Sequence, residues 1–326
     1  MRAVVVDEAG QVPQCRELPE PEVPEGRVLA RVRAAAVKNI ERMLVAGTHY
    51  GSGRTAFPSR VGLDAVVELP DGRRVYARAA PPVGAMAEYL PVDPAQVVDV
   101  PDGVSDADAA AVPNAAASAW CSLEHAARIR PGQSVLVLGG TGVTGGFAVQ
   151  LAKRRFGAGR VSVAGRSGPR LERLRELGAD AAVRIGDDSS ALTEAVHAAH
   201  GEHPFDLVLD YLWGAPAEAV LRALANDDMG AAFHRTRFVQ IGETAGPTVE
   251  LPASVLRSAG VELIGQGAGS VPREAFARIG TEILPELFAM LAEGGLAVET
   301  AVRPLAEVAE AWTEPAPSGV RTVLVP

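Results

Sequence analysis

The stretch "SVLVLGGTGVTGGFAVQLAKRRFGAGRVSVAGRS", residues 134–167, constrains this chain more than any other. A short apolar run at 135–138 leads straight into Gly140, Gly142 and Gly145, a GxGxxG spacing, and then into residues with a helical period. Phe147 and Leu151 share that period, as do Ala148, Ala152 and Phe156; Lys153, Arg154 and Arg155 stand where a helix C-terminus favours cations, and Gly157 can cap it. Strand, tight turn and helix N-terminus in that order suit a pyrophosphate. The first glycine permits the turn and the second lets the backbone approach the ligand. The third lets helix and strand pack closely, with the helix N-terminus facing the phosphates. Gly140, Thr141, Gly142, Val143, Thr144 and Gly145 are therefore the expected dinucleotide contacts.

The next apolar run, 161–164, decides which dinucleotide. An NAD site places Asp or Glu about twenty residues past the turn, to bind the ribose 2′-hydroxyl. Here the segment reads "VAGRSGPR", with Gly165 and Arg166 where the acid would stand. Arg166, with Ser167 and Arg170 nearby, offers charge-assisted hydrogen bonds to a 2′-phosphate, which points to NADP. Ser167 is also placed to N-cap a helix with Pro169 in its first turn, and the two roles are compatible.

On either side of this segment the chain has different characters. Residues 1–113 read mostly as strands and turns, with "RAVVV" and "RVLARVRAAAV" separated by the proline-rich "ELPEPEVPEG". The alanine-rich "SDADAAAVPNAAASAWCSLEHAARI" reads as helix interrupted at Pro113. Beyond Ser134, apolar runs at 135–138, 161–164, 181–185, 207–210, 238–241 and 261–264 alternate with helical stretches such as "PRLERLRELG". That alternation is an α/β pattern, a parallel sheet covered on both faces. Further on, "EAFARIGTEILPELFAMLAEGG" reads as one helix, and "RTVLV" as a final strand.

Bulk properties exclude several classes. The 326 residues, 48% apolar and 22% charged, suit one large globular domain or two ordinary ones. A net charge of −9 argues against a nucleic-acid partner. Cys15 and Cys121 are far apart and form neither a disulfide framework nor a CxxC motif; Cys121, beside Trp120, reads as a packing position. "MRAVVVDEAG" lacks a signal-peptide core and no apolar run reaches the length of a membrane span, so a soluble cytoplasmic protein is expected.

The segments "PGQSVLVLGGTGVTGGFAVQLAKRRFGA", "LERLRELGAD", "RFVQIGE", "PLAEVAEAW" and "GVRTVLVP" together carry a resemblance over nearly the whole chain. It resembles the medium-chain dehydrogenase/reductase superfamily, and within it the zinc-independent quinone oxidoreductase branch typified by zeta-crystallin. The resemblance implies a Rossmann doubly wound parallel sheet inserted in a GroES-like β-barrel catalytic domain. The barrel would comprise 1–115 and 268–326, and the NADP-binding domain 116–267, with the active site in the cleft. It further implies backbone approach to the nicotinamide at Ile241 and Gly242, a second cofactor-lining loop at Gly267 and Ala268, and a homodimer in which "VELIGQG" extends the sheet.

Zinc-dependent relatives carry a cysteine in the first catalytic segment and Gly-His-Glu further on. The corresponding segments here look like "AAAVKNIERML" and "VGLDAVV", in which Lys38 replaces the cysteine and Leu63 the histidine. Leucine cannot ligate zinc and a protonated lysine is a poor ligand, so no metal is expected. His197, His200 and His203 stand three apart in "HAAHGEH", but Gly201 is expected to end the helix between the second and third, leaving a solvated helix end.

Without a metal, the cofactor suits hydride addition to a C=C conjugated to a carbonyl, as in quinones, enones and enoyl thioesters; the resulting enolate needs hydrogen-bond donors and a proton. The family's first catalytic segment reads Asn-Pro followed by an acid two residues later; this chain has Lys38-Asn39-Ile40-Glu41. Lys38 either donates to an enolate oxygen or pairs with Glu41 across one helical turn, and Asn39 is a second candidate donor. His49 and Tyr50 in "AGTHYGSG" carry protons for the α-carbon, with loop packing or cofactor stacking as the alternative. Asp64 matches the acid of the family's Gly-x-Asp, which orients the fold and cleft. The expected activity is an NADPH-dependent, zinc-independent quinone or enone reductase acting on a small molecule. A tailoring reductase of an enoyl thioester or iminium stays open, because "KNIE" and the short "VVELPDGRRVY" would reshape the cleft. A protein that binds NADPH without turnover also stays open.

Overall fold

In the computed structural model, residues 1–226, 228–230, 232–314 and 316–326 are described, residue 54 by its backbone alone. The chain divides into two compact units. The first comprises Met1–Asn114, Arg278–Gly294 and Val298–Pro326, and the second Ala115–Ala277 and Gly295–Ala297.

The second unit is built on six parallel strands: β1 (Ser134–Leu138), β2 (Arg160–Gly165), β3 (Ala181–Arg184), β4 (Leu207–Asp210), β5 (Arg235–Gln240) and β6 (Gly260–Gly265). Their order across the sheet is β3-β2-β1-β4-β5-β6, the Rossmann order, with a topological switch point between β1 and β4. The intervening helices are α1 (Val143–Arg154), α2 (Gly168–Glu176), α3 (Ser189–Glu202), α4 (Gly214–Ala223) and α5 (Ala253–Ser258). Val135 to Leu138 are fully buried, as a central strand covered on both faces requires. On one face Leu136, Leu138, Val208 and Phe238 form a core with Leu192 and Val196 of α3 and Val220 and Leu221 of α4.

The first unit has the GroES-like arrangement. Its central strand, Val28–Ala36, pairs with Asp64–Glu68, Tyr89–Val92 and Val320–Val325, all antiparallel. Arg74–Arg78 and Val98–Asp99 extend the sheet on one side, and Glu299–Pro304 joins in parallel beyond Val320–Val325. Arg2–Val6 heads a smaller sheet with Gln14–Glu17 and Ser59–Arg60. Alternate residues such as Val32, Ala65, Val67 and Leu324 point into one apolar core.

Two helices depart from the sequence reading. The helix Asp106–Cys121 runs through Pro113 without a break. The ring removes one donor, yet the buried alanines 109–111 and 115–117 let the helix pack closely enough to continue. The single helix expected near residue 280 is instead Arg273–Arg278 and Leu284–Ala292 joined by a π-helical turn, Ile279–Ile283. Pro285 lacks the N–H that a regular helix would need in that region, and the wider turn precedes it. No helix among the described residues is long and apolar enough to cross a membrane.

Candidate functional site

The glycine turn lies where β1 meets α1, beside the switch point. Gly139 adopts the left-handed region at φ +85°, and the N–H groups of Gly139 and Gly140 both donate to the Ala164 carbonyl, at 2.9 and 3.0 Å. The tight turn expected of Gly140 therefore belongs to Gly139, and Gly140 has a packing role: a Cβ there would lie 2.1 Å from Val163 Cγ2. Gly145 lets helix and turn touch, since its Cβ would come within 2.6 Å of the Gly139 oxygen. Gly142 differs from both. It is the N-cap of α1, no side chain caps the helix, and an added Cβ would meet only the Gly139 oxygen at an ordinary 3.5 Å. Nothing within the protein requires glycine there, whereas close approach of a ligand to the backbone would. Val143 and Thr144 are half-exposed beside it. The first-turn N–H groups of a helix have no intrahelical acceptors, so the turn fits a pyrophosphate.

Thr141 is buried, and its side chain occupies the space over Gly165 at the end of β2: a Cβ at Gly165 would lie 2.3 Å from Thr141 Cγ2. An acid cannot stand at position 165 without displacing that threonine. Arg166 is exposed, and Ser167 is the N-cap residue of α2 without a side-chain capping bond. Arg170 is buried, and a Cβ at Gly146 of α1 would lie 3.5 Å from its guanidinium. Of the three residues expected at a 2′-phosphate, Arg166 and Ser167 are accessible, while Arg170 lies against α1.

At the C-terminal ends of β4 and β5 the backbone is closely packed. The buried Asp210 carboxylate accepts from the Leu212 and Trp213 N–H groups at 2.8 and 3.0 Å, and burial pushes its pKa up to about 6. These bonds hold a turn in which Trp213 has φ +56°, unusual for a residue with a side chain. Ile241 and Gly242 both donate to the Asp210 carbonyl, and a Cβ at Gly242 would lie 2.5 Å from the Tyr211 oxygen. Gly267 is extended and donates to Ser270 Oγ, and Ala268 is exposed. Asp210 and the Leu212–Trp213 turn were not singled out in the sequence; the available signal was an acid ending an apolar strand.

In the first unit, Lys38 immediately precedes the helix Asn39–Ala46 and is 2% exposed. Its ammonium forms an ion pair with Asp64 Oδ1 at 2.7 Å and donates to Glu41 Oε1 and the Ala36 carbonyl, both at 3.2 Å. Its three donors thus have three oxygen neighbours inside the protein. Glu41 also accepts from the backbone N–H groups of Lys38 and Leu63, both at 2.9 Å, tying the helix start to the segment before Asp64–Glu68. Burial alone would lower the Lys38 pKa, but the Asp64 and Glu41 carboxylates together hold it above the ordinary value. Burial raises Tyr76, beside Asp64, well above the phenol range. Arg321, donating to the Val37 carbonyl at 3.0 Å, supplies a second buried cation near the two acids. Lys38 therefore pairs with Glu41, as one reading held, and Asp64 joins the pair. Asn39 is exposed. His49 and Tyr50 are stacked at 4.1 Å between ring centroids; Gly51 N–H donates to His49 Nδ1 at 3.0 Å, which leaves the neutral ring's proton on Nε2. Tyr50 is 74% exposed.

The helix α3 ends at Glu202, one residue past Gly201 and between the second and third histidines, with His203 as its cap; His197 and His203 are exposed, and His200 is half-buried. His200 Nδ1 accepts from Phe205 N–H at 3.1 Å, and burial lowers its pKa to about 4.

Residues 143–277 match a family model described as zinc-binding dehydrogenase. The chain is 34% identical over 180 residues to the 2-methylene-furan-3-one reductase of Solanum lycopersicum, covering 50% of this chain and 46% of that protein. It is 32% identical over 251 residues to a mycocerosic acid synthase-like polyketide synthase of Mycobacterium tuberculosis, covering 76% of this chain and 11% of the synthase. The chain thus spans less than half the length of these curated relatives. Among solved structures, the quinone oxidoreductase from Thermus thermophilus, determined also with NADPH, is 28% identical and covers 100% of both chains at a TM-score of 0.81. By these matches the chain resembles the medium-chain dehydrogenase/reductase superfamily, in its quinone-oxidoreductase-type branch. Within that branch Lys38 departs from the Asn-Pro segment, and the ion cluster is where the departure takes effect.

Proposed function

We propose that this chain is an NADPH-dependent reductase that adds hydride to the conjugated C=C of a quinone or α,β-unsaturated carbonyl, without a catalytic zinc. The observation that carries the cofactor assignment is the Thr141–Gly165 contact, which bars an acid from the ribose position and leaves Arg166 exposed beside it. In this reading the α1 N-terminus holds the pyrophosphate and Arg166, with Ser167, receives the 2′-phosphate, while the buried Arg170 lies against α1 behind them. Ile241, Gly242, Gly267 and Ala268 line the nicotinamide. When bound, the dinucleotide supplies hydride to the β-carbon. His49 or Tyr50 supplies the α-carbon proton, His49 through the nitrogen that Gly51 leaves protonated. Lys38 and Glu41 act as positioning residues, because the ammonium is committed to Asp64, Glu41 and Ala36. That ammonium lies between the two acids at the position of a zinc ligand, which supports chemistry without zinc. The tomato relative's name describes an enone substrate, and the Thermus structure was solved with NADPH; both agree with this reading. We read the protein as a cytoplasmic homodimer, with β6 as the strand available for extension.

The test is NADPH consumption with a naphthoquinone, an enone, an enoyl thioester and a cyclic iminium, using wild type and Arg166→Ala, with NADH in parallel. Turnover of the quinone or enone, with Arg166→Ala losing NADPH but not NADH use, is expected. Turnover of the thioester or iminium alone would move the reading to a tailoring reductase. Tight NADPH binding with no turnover would make it a non-catalytic binder, and equal use of NADH and NADPH would overturn the cofactor assignment.

A further inference from the structure

We propose that Arg321, in the first unit, is a catalytic residue whose guanidinium donates to the carbonyl oxygen of the substrate and holds the negative charge that develops there. The proposal rests on the reductase reading above. It names the donor that the enolate requires, a role for which the Lys38 ammonium is already committed. Arg321 is 9% exposed, yet its guanidinium makes one hydrogen bond among the described residues, from Nη1 to the Val37 carbonyl at 3.0 Å. Its Nε is enclosed and has no partner. Arginine carries five N–H donors, and a guanidinium that deep is ordinarily well hydrogen-bonded, so most of this one's capacity awaits an oxygen.

The neighbours show why the protein does not fill that capacity itself. The charged groups that act on Arg321 are Glu41, Asp64 and Arg42. Glu41 is engaged by the Lys38 ammonium and by the Lys38 and Leu63 N–H groups, and Asp64 by Lys38 and Tyr76. Arg42 donates to the Trp312 and Ala311 carbonyls. Lys38 and Arg321 balance Glu41 and Asp64 in charge, which suits a neutral carbonyl in the ground state better than a carboxylate. The strand holds the guanidinium in place: Val37 N–H donates to the Thr322 carbonyl at 2.9 Å, and Val323 pairs with Ala36. Because Nε is enclosed, the ligand meets the Nη edge. A donor fixed in this way needs no reorganisation when charge appears. As the β-carbon takes hydride from NADPH, the conjugated electrons shift and one pair comes to rest on the carbonyl oxygen. A proton at the α-carbon then completes the new C–H bond, the carbonyl re-forms, and NADP⁺ is released.

Two measurements test it, on variants shown to fold by thermal unfolding. In steady-state reduction of an enone, Arg321→Gln should lower kcat about a hundredfold or more, as loss of one oxyanion donor does. Its NADPH affinity in a fluorescence titration should stay at the wild-type value. Arg321→Lys, which keeps the charge but loses the planar fork, should recover part of the rate and serves for both measurements where glutamine is not tolerated. The second measurement adds para-nitrophenol to the protein alone and follows by absorbance whether the bound probe is phenol or phenolate. Wild type should favour the phenolate, and the Arg321 variants should lose that preference. This readout needs no turnover: phenolate binding lost in the variants, with no acceptor reduced by wild type, would uphold the oxyanion site and overturn the reductase reading. Turnover and phenolate binding both unchanged in the variants would overturn the assignment of Arg321 and leave its donors to water. Weakened NADPH binding with kcat retained would overturn it as well, by giving the guanidinium to the dinucleotide.

Discussion

Replacing Lys38 with methionine tests the buried ion cluster most sharply. Methionine matches the lysine stem in length but removes the ammonium, leaving Glu41 and Asp64, 2% and 5% exposed, with a missing cation. Glu41 keeps the Lys38 and Leu63 backbone N–H groups, so Asp64, which loses its 2.7 Å contact with the ammonium, suffers more. Breaking a buried pair by removing one partner costs about 3–5 kcal/mol. That is a large part of the total stability of a protein, which is about 5–15 kcal/mol. Urea unfolding followed by circular dichroism should show Lys38→Met unfolding at much lower urea. Lys38→Met with Asp64→Asn should recover part of the loss, with a coupling of about 1–3 kcal/mol. The contribution has a defined pH window. The folded Lys38 pKa is raised, so its stabilisation is fully present below the unfolded lysine value of about 10.4 and is lost as pH rises through the folded value. The difference between wild type and variant should therefore stay level from neutral pH to about pH 9 and shrink only in strong alkali. A loss below about 1 kcal/mol, or strict additivity with Asp64→Asn, would refute the reasoning.

Other perturbations separate packing from binding. Gly145→Ala should destabilise the protein, because its Cβ meets backbone at 2.6 Å, whereas Gly142→Ala should leave thermal unfolding unchanged and weaken NADPH binding in a fluorescence titration. Gly165→Asp should fail to create NADH preference and should lower the melting temperature, since the new side chain displaces Thr141; a clean switch to NADH in steady-state kinetics would contradict this. His200 stays neutral in the fold down to about pH 4, while the unfolded chain protonates it near pH 6.5. Stability should thus fall as pH drops between those values, and His200→Gln should flatten that part of a stability–pH curve.

The second unit was legible because its signals are local. Strand, glycine turn and helix follow one another within residues 134–167, and each apolar run proved to be a strand within a few residues of its expected bounds. What escaped was contact across the fold. That Gly139 rather than Gly140 takes the left-handed turn, and that Gly140 is needed because Val163 fills the space a Cβ would occupy, are not visible in the spacing of the glycines. The role of Lys38 could be narrowed to Glu41 from the helical spacing, but Asp64 comes from a strand 26 residues on, and Arg321 from near the other end of the sequence. The helix end beside Gly201 was legible, but the anchoring of His200 to Phe205 and of His197 to Ala223 was not, because those bonds reach past the helix itself.

The pairing of Ala36 with Val323 bears on how the polypeptide is made. The second unit is nearly continuous in sequence, so on a ribosome it can mature while the first unit still waits for its partner strand, roughly 290 residues downstream. During that interval only the Ala35–Ala36 end of the strand lacks its partner, since Val28–Ala34 already pairs with Asp64–Glu68 and Tyr89–Val92, and that end is a place for unwanted strand addition. Nascent-chain quality control, rather than the equilibrium stability of the finished protein, would then set the yield of variants in Val320–Val325.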